Sequence, residues 1–338
     1  MMHTSRNPTR RAMLRGSLAA VALGAGRSAR ADNATDVTVA VSSTSFVLAG
    51  VKIAIGAGLF ARHGVNPRIV VMDSGNAAMA ALISGSSQFA VAGPGEMLAA
   101  RARRQGVVVV ANLYRGLAGS MVLAKSVAEK SGVSPSAPLA DRLRVLEGLL
   151  IAEPSATSAL LVPVRAAATQ AGVKVRFVYM AQPAMLSALE SGAVHAMVAS
   201  SPFWGAGVLK GTGVLWINGP GSELPAAVSP TSSSCIQATE TFAQANRELL
   251  GRIQAALADL AKLIKDDPAE AKRQLAKAYP QLAPAAIDLA FSKEADSWTR
   301  PRFSEDDMRH ELDLFKANNP SIAGLDAIDV GALLKYQN

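Results

Sequence analysis

The chain has 338 residues, half of them apolar and 18% charged, enough to bury a substantial core and to divide into two domains. Its formal charge of +8 points toward nucleic acid or an anionic membrane, but six of its arginines and none of its acids fall within residues 1–31. The remainder carries 28 basic against 26 acidic residues, a balance of +2 that leaves no case for a nucleic-acid partner. Cys235 is the single cysteine, which excludes an intramolecular disulfide and a cysteine-based zinc site.

The chain opens with Thr9-Arg10-Arg11-Ala12-Met13-Leu14-Arg15, the mild apolar run Gly16 to Gly26, and Ala29-Arg30-Ala31. A charged segment, a short apolar segment and an A-x-A cleavage pattern make residues 1–31 an expected export signal peptide. The paired arginines resemble a twin-arginine signal. The apolar run is shorter than the roughly 20 residues a membrane span needs. The mature chain is therefore expected to be soluble and exported, periplasmic in a bacterium with two membranes.

Val37 to Val41 predicts a strand that ends in the polar loop Ser42 to Ser45, and Phe46 to Arg62 a long helix stopping at His63-Gly64. Arg68 to Met72 is a second strand, followed by Asp73-Ser74-Gly75-Asn76 and a helix. Gln88 to Ala92 is a third strand, leading through Gly93-Pro94-Gly95-Glu96 into another helix, and Val107 to Leu113 is a fourth. Gly116 to Leu123 carries the chain into a second unit. There, strands at Leu149 to Ala152, Val173 to Tyr179, His195 to Ala199 and Val214 to Ile217 alternate with helices opening at Ser155 and Gln182. Gly219 to Ser234, rich in Gly, Pro and Ser, is a return crossing, and the chain then turns mainly helical from Thr239.

Ala81 to Pro94 repeats as Ala188 to Ser201 at an offset of 107 residues, with six of fourteen positions identical. Both copies read as a helix end, a glycine stop, a polar residue and a buried strand. Each strand runs into a small polar cluster at its C-terminal end, where open α/β sheets bind ligands. The expected fold is α/β: two Rossmann-like lobes with mostly parallel sheets, joined by two crossings, and a helical C-terminal section. Lobe 1 would comprise residues 32–117 and 226–338, and lobe 2 residues 118–225.

Gly56-Ala57-Gly58-Leu59-Phe60-Ala61 matches G-x-G-x-x-A, but lies deep in a helical pattern rather than directly after a strand, so helix packing accounts for it better than a dinucleotide. His63, His195 and His310 occur in three unrelated settings and suggest neither a metal site nor catalysis. Ser155-Ala156-Thr157-Ser158 is more informative, because hydroxyls and free amides at a helix start suit a carboxylate, sulfonate or phosphate. Simple N-capping by Ser155 is the alternative. Phe46 and Trp204 each follow a strand-end cluster and are placed either to enclose a solute or to fill the core. Glu96 would pair with a cationic group or cap its own helix.

Phe46 to Gly64 with its His63-Gly64-Val65-Asn66-Pro67, Ala81 to Arg101, Leu146 to Gly172 and Leu189 to Pro202 together give the mature chain a family likeness. It resembles the substrate-binding proteins of ABC importers, of the nitrate, sulfonate, taurine and thiamine-pyrimidine type, within the two-lobed type II periplasmic binding protein fold. Such families often carry Asp where this chain has Gln88 and His195. The resemblance implies a monomeric receptor, not an enzyme, without cofactor or metal, that closes by hinge motion around a small anionic solute and delivers it to a membrane permease. Carried over by position, Ser42, Thr44, Ser45, Phe46, Asn76, Gly93 and Glu96 would line the cleft from lobe 1. Ser155, Thr157, Ser158, Ser200 and Trp204 would line it from lobe 2, with Tyr114 and Arg115 at the first crossing, Arg115 as an anion partner. The alternatives are an enzyme of thiamine-pyrimidine metabolism on the same fold, and a sensory partner of a membrane kinase. A LysR-type regulator shares the lobes, but no helix-turn-helix precedes lobe 1.

Overall fold

The computed structural model describes residues 34–41, 45–154 and 161–337, which excludes the leader and the expected site residues Ser42, Thr44, Ser155, Thr157 and Ser158. Ten strands among the described residues build two five-stranded sheets. In chain order they are β1 (Thr35–Val41), β2 (Val65–Val71), β3 (Phe89–Ala92), β4 (Val107–Arg115), β5 (Gly119–Ala124), β6 (Leu150–Glu153), β7 (Arg176–Tyr179), β8 (Ala196–Ser200), β9 (Gly213–Ile217) and β10 (Ser232–Thr239). The first sheet has the order β2-β1-β3-β10-β4 and the second β7-β6-β8-β5-β9. Four strands of each run one way; the exception is β10 in the first and β5 in the second, each antiparallel to both neighbours. The two sheets thus share one topology, and each antiparallel strand is the first that the chain makes after crossing from the other lobe.

Period-2 alternation sends successive side chains to opposite faces. In lobe 1, Val39, Val41, Val91 and Val110 enter one core, whereas Ala40, Ala90, Val109 and Cys235 enter the other. In lobe 2, Met121, Ile151 and Val198 face one core and Val122, Ala152 and Met197 the second. Helices therefore cover both faces of both sheets, and nearly continuous apolar strands result.

The repeat seen in the sequence is reproduced bond for bond. Gly85 and Gly192 adopt φ of 79° and 75°, ending the helices Gly75–Ile83 and Gln182–Glu190. Just past each, Ser87 N donates to Ala81 O at 3.1 Å and Val194 N to Ala188 O at 3.2 Å. Gln88 and His195 then clamp the neighbouring strand in the same way. Thr38 N donates to Gln88 Oε1 at 2.8 Å and Leu150 N to His195 Nδ1 at 2.9 Å. The main-chain amides of Gln88 and His195 return the bond to Thr38 O and Leu150 O. An acceptor side chain is what the position requires, and Gln and imidazole both supply one. A methyl group at either glycine would meet nothing within 4 Å, so Gly85→Ala and Gly192→Ala are each expected to lose about 1–2 kcal/mol through the left-handed backbone alone. Urea unfolding of the two variants tests this, and a negligible loss at one of them would deny that the turns are equivalent.

Two expected elements differ. The helix over 46–62 is divided at Gly58, which takes φ of 69°, into Ala49–Gly56 and Leu59–Arg62. The preceding Gly56 lies against Gln274 of the helix Pro268–Ala278, where a Cβ would come within 2.7 Å of its Oε1. Small-residue packing and a turn therefore explain the glycine motif. β10 occupies sequence expected to be crossing and helix start. Its polar side chains are buried because they are bonded: Ser232 Oγ donates to Asn112 Oδ1 at 2.8 Å, Ser234 Oγ to Val47 O at 3.1 Å and Gln237 Nε2 to Gly93 O at 3.0 Å. Residues 126–145, of unclear order from sequence, are taken up in part by the helices Lys125–Ser131 and Leu139–Arg144. No described helix is long and apolar enough to cross a membrane.

Candidate functional site

The C-terminal ends of β1, β3 and β4 in one lobe and of β6 and β8 in the other converge where the chain crosses. Only residues 116–118 separate β4 from β5, and Gly119 at the start of β5 pairs with Ser200 at the end of β8. The lobes touch at these ends: Phe46 N donates to Ser201 O at 3.4 Å.

Lobe 1 places its expected residues unequally. Ser45 O accepts the Tyr279 hydroxyl at 3.0 Å. Phe46 is 1% exposed, with its ring centroid 4.5 Å from that of Tyr279, so its surface is spent on the core. Asn76 is exposed in the first turn of the Gly75–Ile83 helix, which Ser74 caps through the Ala77 amide at 3.2 Å. Gly93 caps the helix Pro94–Ala102. Glu96, in that helix's first turn, draws the amides of Gly93 and Glu96 to its own carboxylate; burial raises its pKa and these bonds lower it. The same carboxylate lies over Gly75, where a Cβ would stand 2.3 Å from Oε1. Glu96 thus occupies the helix start that would otherwise offer its amides to a bound anion.

At the first crossing, Tyr114 is fully buried and donates its hydroxyl to Glu294 Oε2 at 3.0 Å. Burial beside that carboxyl drives the phenol pKa well above its ordinary value. Arg115 faces Asp307, Nη1 to Oδ2 at 3.3 Å, on the wall of a cavity of about 500 Å³ that also includes Gly116, Ser222, Thr231 and Arg300. In lobe 2, the amide and hydroxyl of Ser200 both donate to Gln182 Oε1, at 2.8 and 3.1 Å. Trp204, in the first turn of the helix Phe203–Leu209, is fully buried among Met185, Leu189 and Met197.

Glu294 was not legible in the sequence as a site residue. It ends the helix Pro284–Glu294 at 1% exposure and receives the hydroxyls of Tyr114 and Ser201. The Trp204 indole N–H approaches it without completing a well-formed hydrogen bond. Burial lifts the Glu294 carboxyl to about 7, although the donors pull it down. Glu153, at the end of β6, is a second fully buried carboxyl in this region.

The remaining candidates are structural. Cys235 is buried, with its thiol pKa pushed up to about 12 by burial, so it is not a nucleophile at neutral pH. His63 bonds Asp259 at 2.8 Å and His310 bonds Ser229 O at 2.9 Å. Among the described residues no group of three His, Cys, Asp or Glu side chains is arranged to hold a metal ion.

Three comparisons place this geometry. Sequence comparison with curated proteins gives no match. Among solved structures, the periplasmic aliphatic sulphonate binding protein SsuA of Escherichia coli superposes with a TM-score of 0.66 at 18% identity, over 89% of this chain and 99% of that one. The periplasmic nitrate-binding protein NrtA of Synechocystis PCC 6803 gives 0.60 at 13%, over 90% and 86%. A Candida albicans protein described as exhibiting the generic periplasmic binding protein structural fold gives 0.58 at 13%, over 89% and 94%. At these identities the likeness establishes the fold, the two-lobed periplasmic binding protein fold. The family described as NMT1-like matches residues 30–279, and the chain belongs to it.

Proposed function

We propose that this protein is the extracytoplasmic solute-binding component of an ABC importer, which captures a small organic anion between its lobes and hands it to a membrane permease. The observation that carries the reading is the duplicated helix–turn–strand unit, whose two copies bring their strand ends together beside the crossings. A single unit would serve as a platform; two facing units make a cleft that closes. The sulfonate- and nitrate-binding proteins among the structural neighbours support the solute class. The twin-arginine leader, periplasmic location and monomeric state belong to the same proposal.

We assign the anion to lobe 2. In lobe 1 Glu96 already fills the helix start, and the Arg115 charge is taken up by Asp307. In lobe 2, Ser155, Thr157 and Ser158 precede the helix Leu161–Gln170 in sequence, hydroxyl-rich as an anion cradle requires. Thermal melts of residues 32–338 against sulfonates, carboxylates, nitrate and pyrimidines are expected to give a stabilising shift without turnover. Ser155→Ala with Thr157→Ala should abolish that shift, whereas Arg115→Met should keep most of it. No shift with any anion would reject the receptor reading for this solute class, and loss with Arg115→Met alone would move the anion to the first crossing.

A further inference from the structure

Glu294 takes partners from both lobes. Lobe 1 supplies the Tyr114 hydroxyl from β4, at 3.0 Å. Lobe 2 supplies the Ser201 hydroxyl and sets the Trp204 indole beside the carboxyl. The contact continues on either side: Phe46 N reaches Ser201 O, and Leu289, on the same helix as Glu294, packs against the lobe 2 core around Trp204. Lobe 2 therefore forms part of the cover over this carboxyl, and separating the lobes would return it to water.

We propose that Glu294 is a proton-coupled latch between the lobes: closure buries it as the neutral acid, and opening releases its proton. The described titratable groups around it are two phenols, surface ion pairs and two lysines, none of which forms an ion pair with it. Tyr114 and Tyr279 are phenols held above their ordinary range by burial. Lys52 stands over the Tyr279 ring, 4.1 Å from its centroid. On and beside its own helix, Lys272 pairs with Asp288 at 2.7 Å and Asp296 lies near Arg300 at 3.8 Å, both at the surface. Lys293, the preceding residue on that helix, is mostly exposed. Among the described residues, lobe 2 sets Ser201 and Trp204 against it, and Glu153 at the end of β6 is a further buried carboxyl in the same region. Among the described residues no Lys or Arg pairs with this carboxyl, so its ionised form is penalised by closure.

The direction follows from linkage. With the lobe 2 cover in place, burial lifts the carboxyl to about 7; opened to water it falls back toward its ordinary 4.5. The closed form binds the extra proton. The contribution of this group to closure is complete below about 4.5, declines as pH rises, and is lost above about 7. Across that window the closed-to-open ratio is expected to fall on the order of a hundredfold. This inference depends on the two lobes and not on the identity of any solute, so solute-free protein suffices to test it.

Small-angle scattering of the solute-free chain between pH 5 and 8, with circular dichroism to confirm folding, reads the closure. The wild-type protein should be compact at pH 5 and expand toward pH 8. Glu294→Gln, a permanently neutral isostere, should stay compact throughout. A wild-type radius of gyration that does not change, or a change preserved in Glu294→Gln, overturns the proposal. Should Glu294→Gln fail to fold, Ser201→Ala decides: removal of the lobe 2 donor should open the protein at pH 5, and an unaltered radius overturns the latch.

Discussion

Trp204→Ala is expected to lower stability by about 3–5 kcal/mol, the range for truncating a fully buried large aromatic. The indole has no exposed surface and fills the lobe 2 core between Met185, Leu189 and Met197. Its removal would leave a cavity that the helix Phe203–Leu209 cannot collapse into, because β8 and β5 fix the sheet beneath it. It would also strip one wall from Glu294. Trp204→Phe retains most of the ring and should lose markedly less. Urea titration with unchanged m separates a stability loss from a change in the unfolded state. A cost below about 1 kcal/mol for Trp204→Ala would sink the core assignment. It would restore the alternative from the sequence, that this ring encloses the solute.

The second large effect is expected at Glu311, a buried carboxyl that sequence alone places on an ordinary charged helix. It accepts the Thr231 amide, the Thr231 hydroxyl at 2.7 Å and the Ser232 amide at 3.0 Å. These are the last residue of the return crossing and the first of β10. Burial raises the Glu311 pKa while its donors lower it, so the ionised form is both costly and well bonded. Glu311→Ala leaves several donors without a protein acceptor in a place that is nearly dry, and should cost about 3–5 kcal/mol. Glu311→Gln keeps one acceptor oxygen and should cost less than half of that. Amide exchange at Thr231 and Ser232 gives the local readout. Equal losses for the two variants would show that the charge, and not the acceptor geometry, holds the crossing.

The sequence carried the repeated unit because its signals are local: a glycine with positive φ, an acceptor side chain and an apolar strand, each set by nearest neighbours. β10 was hidden because its burial is achieved by hydrogen bonds. Ser232, Ser234 and Gln237 read as loop chemistry until Asn112, Val47 and Gly93 are placed opposite them. The expected site divided on similar grounds. Ser200 and Glu96 stand at strand ends as anticipated, but each is satisfied within its own lobe. Phe46, Tyr114 and Trp204 are buried side chains. Nothing around Ser292-Lys293-Glu294 distinguishes a buried carboxyl from a solvated helix end, since its environment is made by residues distant in sequence, Tyr114 of β4 and Ser201 of the other lobe.

The arrangement of strands also orders assembly in time. The five strands of the second sheet lie in one stretch, from Gly119 to Ile217, and pair among themselves. The first sheet cannot be completed from one stretch, because β10 is inserted between β3 and β4 and belongs to residues made more than a hundred positions after β4. As the chain emerges from the ribosome, lobe 2 can finish while lobe 1 is still split into a three-stranded piece and a lone strand. The strands made first thus belong to the sheet completed last, and their exposed edges are what a chaperone would meet.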